Sequence, residues 1–298
     1  MSYFTLDASE DAVNARVADD CDPRLAQVMA ALVRHLHAFA KEVDLTEDEW
    51  MRGIQFLTRT GQMCDDARQE FILLSDTLGL SMLVDSLATR RPYGATENTV
   101  FGPFHVEGAP ERAMGDDICL DGKGESCLFE GRVTDLDGNP VAGARLDVWS
   151  DNADGYYDVQ QPDVQPKWNN RGVFVTGADG AYAFRGIKPP AYPIPDDGPV
   201  GEMLAALGRH PNRPGHMHVV IEAPGFDRVV THTFVEGDEW LASDAVFGVK
   251  ESLIAPFERV DGDTVWRSRY DFVLTRPGGR GGTPSEAATT IADPGTPA

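Results

Sequence analysis

The sequence predicts a mainly β protein with an all-α N-terminal part: a β-sandwich with long excursions between its strands, preceded by amphipathic helices. Two observations carry this. Residues 23–90 repeat apolar side chains at three- and four-residue intervals, the period of a helix face. Residues 91–275 alternate short β-branched and aromatic runs with Gly-, Pro- and Asp-rich turns, the pattern of a sandwich. Outside these, 1–22 is an acidic N-terminal arm without periodicity. Residues 276–298 are rich in Gly, Pro, Ser and Thr, so a disordered tail is expected there.

In chain order, Pro23 opens the helical run LAQVMAALVRHLHAFAKEV. Thr46 followed by Glu49 makes a capping box for EDEWMRGIQFLTRTGQMC. Residues 65–78 and 80–88 supply two shorter helical runs, with Gly79 between them. Helices this apolar on one side must pack on each other, on the next domain or on a second copy of the chain. His35 and His37 do not face each other on a helix and are read as surface or packing residues. Residues 91–110 form a linker wound into the following domain. Strands are expected over 126–133, 142–150, 229–234 and 265–274, and a hairpin over 171–187 closed around Ala178–Gly180. There is no internal repeat, and no glycine run has the strand–GxGxxG–helix setting of a nucleotide site.

Composition narrows the partners. The 298 residues carry a net charge of -22, from 48 acidic and 26 basic side chains. Such a field repels phosphate backbones, which argues against nucleic acid, and does not hinder a neutral small molecule. No apolar run is long enough to span a bilayer, and MSYFTLDASEDAV has neither a basic start nor an apolar core. Cys21, Cys64, Cys119 and Cys127 form no C-x-x-C, so free thiols in a reducing cytoplasm are expected.

The stretch richest in chemistry is RHPNRPGHMHVVIE, residues 209–222. Pro211, Pro214 and Gly215 break any helix, and β-branched residues follow. On a strand, His216 and His218 face the same side, roughly 6–7 Å apart along the backbone. That is half a metal site or a pair of hydrogen-bonded imidazoles. Two tyrosine-bearing loops are candidates for the other half: 154–158 with Tyr156 and Tyr157, and KPPAYPIPDDGPV with Tyr192. Either tyrosine could instead plug its loop against the sheet. His₂ sites with a carboxylate suit ferrous iron, and His₃ or Cys-rich sets suit zinc. A phenol, with an ordinary pKa of about 10, binds only to a strongly polarising cation, a requirement Fe(III) meets.

Four segments, DVWSDNADGYYDVQ, AYPIPDDGPVGEML, GRHPNRPGHMH and THTFVEGDEWLASDAVFGVKESL, resemble the intradiol ring-cleavage dioxygenases. The chain is most similar to the hydroxyquinol 1,2-dioxygenase branch, beside the catechol and chlorocatechol enzymes, from about Leu25 to Leu274. The resemblance implies one non-haem Fe(III) per subunit held by Tyr157, Tyr192, His216 and His218, with Tyr157 rather than Tyr156 aligned to the ligand. Tyr192 and Arg213 would act in catalysis, Arg213 over the ring. Leu73, Asp76, Val100, Phe101, Gly102, Pro103, Phe104, Ile194, Pro195, Arg213 and Val246 would line the substrate pocket. Asp76 would accept a hydrogen bond from a third ring hydroxyl. His232, where many catechol enzymes have glutamine, would hydrogen-bond near the iron without coordinating it. Gly215 departs from the family's common alanine, and its missing methyl is expected to loosen the turn modestly.

The resemblance further implies a homodimer through the helices of 23–90, with a phospholipid or fatty acid at the interface. The reaction implied is O₂-dependent cleavage of an aromatic diol or triol between adjacent hydroxyls, in aromatic catabolism. Hydroxyquinol (benzene-1,2,4-triol) would give 3-hydroxy-cis,cis-muconate and its tautomer maleylacetate. The alternatives are a catechol or chlorocatechol 1,2-dioxygenase yielding cis,cis-muconates, a zinc hydrolase, and a metal-free β-sandwich binding module.

Overall fold

The computed structural model describes residues 3–65, 68–260 and 265–278. They divide into two compact units, Met1–Cys64 and Asp65–Ala298.

The first unit contains α1 (Ser9–Asn14), α2 (Pro23–Glu42) and α3 (Glu47–Gln62). The Asp22 carboxylate accepts the Leu25 N–H at the start of α2, where Pro23 costs no hydrogen bond. At α3 the Thr46–Glu49 box is formed in both directions. Helix α1 lies in the arm read as lacking periodicity. Six residues are under two turns, too few to show a 3.6-residue period. It is tied to α2 by the 3.1 Å contact between Ser9 Oγ and His37 Nδ1. The apolar residues Leu32, Leu36, Phe39, Trp50 and Ile54 of α2 and α3 remain exposed.

The second unit begins with α4 (Glu70–Thr77) and α5 (Leu80–Ala88), so the helical stretch 23–90 is not one packing unit. Within the run expected from residue 65, α4 starts at Glu70. Its buried carboxylate accepts the Val200 N–H at 3.1 Å, and Arg209 Nη1 donates to Thr77 O at 2.7 Å. These bonds dock α4 on the chain after the second tyrosine loop. The α4–α5 pair is bent by 79°, and among the described residues no single helix is long and apolar enough to cross a membrane.

The strands are β1 (Ser126–Asp135), β2 (Arg145–Trp149), β3 (Arg171–Val175), β4 (Ala181–Ile187), β5 (Tyr192–Pro193), β6 (Asn212–Arg213), β7 (His216–Glu222), β8 (Val229–Val235), β9 (Ile254–Ala255), β10 (Phe257–Arg259), β11 (Trp266–Arg269) and β12 (Phe272–Leu274). Helix α6 (Pro199–Ala206) follows β5. One sheet runs β3-β2-β7-β8-β9. The other is built on β1, which pairs antiparallel with β4 and parallel with β11 and β12. Their inner faces share one core that includes Phe129, Leu146, Phe174, Phe184, Val219 and Phe272.

The expected hairpin over 171–187 is not formed. β3 joins one sheet and β4 the other, and Phe174 and Phe184 stack across the core at 4.8 Å. A period-two pattern shows that each strand buries a face but does not name the edge it pairs with. The single strand expected over 265–274 is divided into β11 and β12. The tail expectation beyond Gly278 falls outside the described residues.

On β7 the alternation sorts the chemistry. Met217, Val219 and Ile221 enter the core. His216, His218 and Val220 therefore project from the opposite face, where Trp149, Tyr157, Tyr192 and Val220 form a second apolar cluster.

Candidate metal centre

His218 sits between two cross-strand neighbours. Trp149 of β2 is its register partner on one side and stacks on it at 4.6 Å and 12°. His232 of β8 is its partner on the other. Both contacts follow from antiparallel pairing, which places opposed side chains on one face. His216, His218 and His232 are all at most 2% exposed.

The hydrogen bonds sort the ring nitrogens. His216 Nδ1 lies 2.7 Å from Pro214 O, and His218 Nδ1 lies 2.7 Å from His232 Nε2. The two remaining Nε2 atoms, of His216 and His218, are 3.2 Å apart. Tyr157 Oη reaches to 2.9 Å from His218 Nε2 and 3.3 Å from Tyr192 Oη. Two phenols and two imidazole nitrogens thus converge on one buried point.

Local structure delivers both tyrosines. The Asn152 side chain accepts the N–H groups of Asp154 and Tyr156, folding the first loop. Just beyond Tyr157, Asp158 is fixed by a buried ion pair to Arg171 Nε at 2.6 Å. Tyr192 lies on β5, whose partner β6 sets Arg213 directly opposite it.

Burial governs the electrostatics. It lowers His216 to about 3, aided by the Arg213 charge, and holds His218 and His232 well below the usual histidine range, aided by neighbouring imidazoles. All three rings are neutral donors at neutral pH. Burial also pushes the Tyr157 phenol well above its ordinary value, and raises Tyr192 against the opposing pull of Arg213. Neither phenol ionises here without a strongly polarising cation between them. One nitrogen each from His216, His218 and His232 lies within 4.8 Å of the others, a buried cluster able to hold a metal ion. With the adjoining phenols, the donor set suits a hard, highly charged transition-metal ion.

The residues expected to line a pocket fall in several settings. Ile194 and Val246 form a buried cluster against which Leu73 and Val100 pack. Phe104 stacks on Tyr157 at 4.5 Å, and Phe101 meets Trp149 edge-on at 5.8 Å. Gly102 lies over His218, where a Cβ would come 2.9 Å from His218 Cε1. Pro103 and Pro195 are exposed on the same two segments. Asp76 is half-buried. Burial raises its carboxyl, opposed by a hydrogen bond from Ser81 and by the charge of Arg213.

Gly215 corrects the sequence reading. A Cβ there would overlap the carbonyl oxygen of Pro189, so the glycine lets two backbones touch rather than loosening a turn. Sequence reasoning also missed Trp149, Asp244 and His105. His105 pairs with Asp147 at 3.3 Å and packs on Trp149 at 4.7 Å, bracing the 100–104 segment. For Trp149 a signal existed, the strand LDVWS paired to the H-x-H strand. For Asp244 and His105 none did, because their partners are remote in sequence.

The profile described as "Catechol dioxygenase N terminus" matches residues 22–96, and that described as "Dioxygenase" matches residues 100–276. The chain belongs to the intradiol ring-cleavage dioxygenase family. It is 55% identical over 285 residues to hydroxyquinol 1,2-dioxygenase of Rhizobium sp. (strain MTP-10005), covering 92% of this chain and 97% of that one. It is 57% identical over 263 residues to 6-chlorohydroxyquinol 1,2-dioxygenase of Cupriavidus pinatubonensis, covering 88% and 95%. The crystal structure of hydroxyquinol 1,2-dioxygenase from Pseudomonas putida DLL-E4 superimposes with a TM-score of 0.85 at 48% identity, over 91% of this chain and 99% of that one.

Proposed function

We propose that the chain is a non-haem Fe(III) dioxygenase that cleaves hydroxyquinol with O₂ between its adjacent hydroxyls, giving 3-hydroxy-cis,cis-muconate and maleylacetate. The observation that carries this is the convergence of Tyr157 Oη, Tyr192 Oη and the Nε2 atoms of His216 and His218. Those four residues would hold one Fe(III) per subunit. When bound, the ion supplies the positive charge that ionises a chelated aromatic diol and lets it react with O₂.

The chain's own groups do the rest. The Tyr192 phenolate is the base for one substrate hydroxyl, accepting its proton at Oη. Its buried, neutral phenol form is stable, as the raised pKa requires. Arg213 offers an N–H donor where negative charge develops on the ring oxygen. Leu73, Val100, Ile194 and Val246 supply apolar surface that excludes water from a bound ring. The Asp76 carboxyl gives a third ring hydroxyl a hydrogen-bond partner, which a bare ring carbon lacks. His232 holds His218 by its Nδ1 and leaves Nε2 for the metal. The two phenols beside His216 and His218 make a His₃ zinc site the weaker reading of the cluster.

The exposed apolar faces of α2 and α3 support a homodimer through these helices, with an amphipathic lipid between them. The four free thiols fit a cytoplasmic location. Light scattering gives the oligomeric state, and mass spectrometry of a solvent extract shows whether lipid is retained.

The deciding experiment compares kcat/KM for hydroxyquinol, catechol and 4-chlorocatechol on iron-assayed protein, with product analysis. Hydroxyquinol is expected to lead. Catechol ahead by about tenfold would overturn the substrate preference, and the absence of ring cleavage with all three would overturn the activity.

A further inference from the structure

We infer that Asp244 is a positioning residue for Arg213, fixing the guanidinium so that one N–H edge alone is presented to the reacting ring. The inference rests on the proposed function for its catalytic meaning, though the geometry stands without it. Arg213 Nε lies 3.0 Å from Asp244 Oδ1 and Arg213 Nη2 lies 3.3 Å from Asp244 Oδ2, a two-pronged contact. The third nitrogen, Nη1, points the other way, 3.2 Å from His216 Nε2. Arg213 is 3% exposed and Asp244 5%, so water does not compete for these bonds.

Asp244 is itself held. Its Oδ2 accepts the Gly248 N–H at 2.9 Å and its Oδ1 the Val246 N–H at 3.4 Å. The carboxylate therefore has its orientation set by the backbone of the segment that carries the pocket residue Val246. A buried arginine can rotate about several bonds, and a planar fork gripped on two nitrogens cannot. Asp244 also offsets the guanidinium charge beside the metal ligands, where an unpaired cation would oppose metal binding. Once His216 Nε2 is committed to a metal, the Nη1 hydrogens are the ones left to face a ring bound there. Small displacements of such a donor cost rate rather than ground-state affinity.

The experiment compares Asp244→Asn, Arg213→Gln and the double variant by hydroxyquinol turnover per bound iron. Arginine Nε–Hε NMR signals of the metal-free proteins are recorded alongside. One protected signal of the parent protein, identified by its loss in Arg213→Gln, is expected to exchange about tenfold faster or more in Asp244→Asn. In Asp244→Asn kcat is expected to fall about tenfold or more while KM moves less than about threefold. The double variant is expected to be no slower than Arg213→Gln alone. An equally protected Arg213 signal in Asp244→Asn, or losses that multiply in the double variant, would overturn the inference. Should Asp244→Asn fail to fold, Asp244→Glu, with its longer reach, undergoes the same two measurements. A parent protein that cleaves no aromatic diol would remove the proposed function, and the NMR comparison would still decide whether Asp244 holds Arg213.

Discussion

His232 Nε2 lies 2.7 Å from His218 Nδ1, with the two rings nearly perpendicular at 88°. The bond fixes the His218 ring and directs its Nε2 toward Tyr157. It also joins two imidazoles that burial keeps neutral.

His232→Gln should therefore keep the hydrogen bond but change the acid response of the metal-free protein. The folded-state pKa of His232 is depressed, so the stabilisation from its neutral ring is complete above the unfolded value of about 6.5 and is lost as pH falls. Between roughly pH 5.5 and 4.5 the unfolded state binds more protons at this site than the folded state. Unfolding free energy should then fall less steeply across that interval in His232→Gln. Urea unfolding at both pH values measures this, and equal slopes in the two proteins would show that His232 is already charged when folded.

Tyr157→Phe removes one phenol oxygen while keeping the ring that stacks on Phe104. The fold should survive, with a melting temperature within a few degrees of the parent. Iron content and the visible tyrosinate absorption should both fall. Unchanged colour and iron would strike Tyr157 from the ligand set.

Asp76→Ala tests the third-hydroxyl partner. Loss of a buried hydrogen-bond acceptor costs about 1–3 kcal/mol, so hydroxyquinol turnover should drop about tenfold or more with catechol turnover little changed. Parallel kcat/KM measurements decide this. Equal losses for both rings would point to disturbance of α4 instead.

Gly215→Ala, the family's common choice, should destabilise this chain, because the added methyl overlaps Pro189 O. The backbone before Tyr192 must move to admit it. A loss of about 1–3 kcal/mol is expected from such overpacking, read by urea unfolding. Iron retention should weaken with it, because the displaced segment carries Tyr192. Stability equal to the parent would mean that the Pro189 segment gives way freely.

Several of these features were legible in the chain itself. The H-x-H pair on a β-branched run told that both imidazoles share a sheet face, and β7 has that form. Thr46 and Glu49 announced the start of α3. The converging tyrosines were reached through the resemblance of their loops, not through spacing alone. Gly215 was misread because a sequence shows that a methyl is absent but not what occupies its place. The hairpin over 171–187 failed for a related reason: two strands joined by a short turn pair with each other by default, and here β3 pairs with β2 and β4 with β1, in different sheets.

The sequence by itself determined the helical character of α2 to α5 and the β character of the main strands, the acidic composition, the paired histidines and the family. These depend on short-range periodicity and on residue chemistry, both of which are written along the chain. Only the tertiary structure decided that Asp244 grips Arg213, that Trp149 and His232 flank His218, and that Pro189 fills the space beside Gly215. Those contacts join residues 14 to 69 positions apart, and only the packing of the folded chain brings them together.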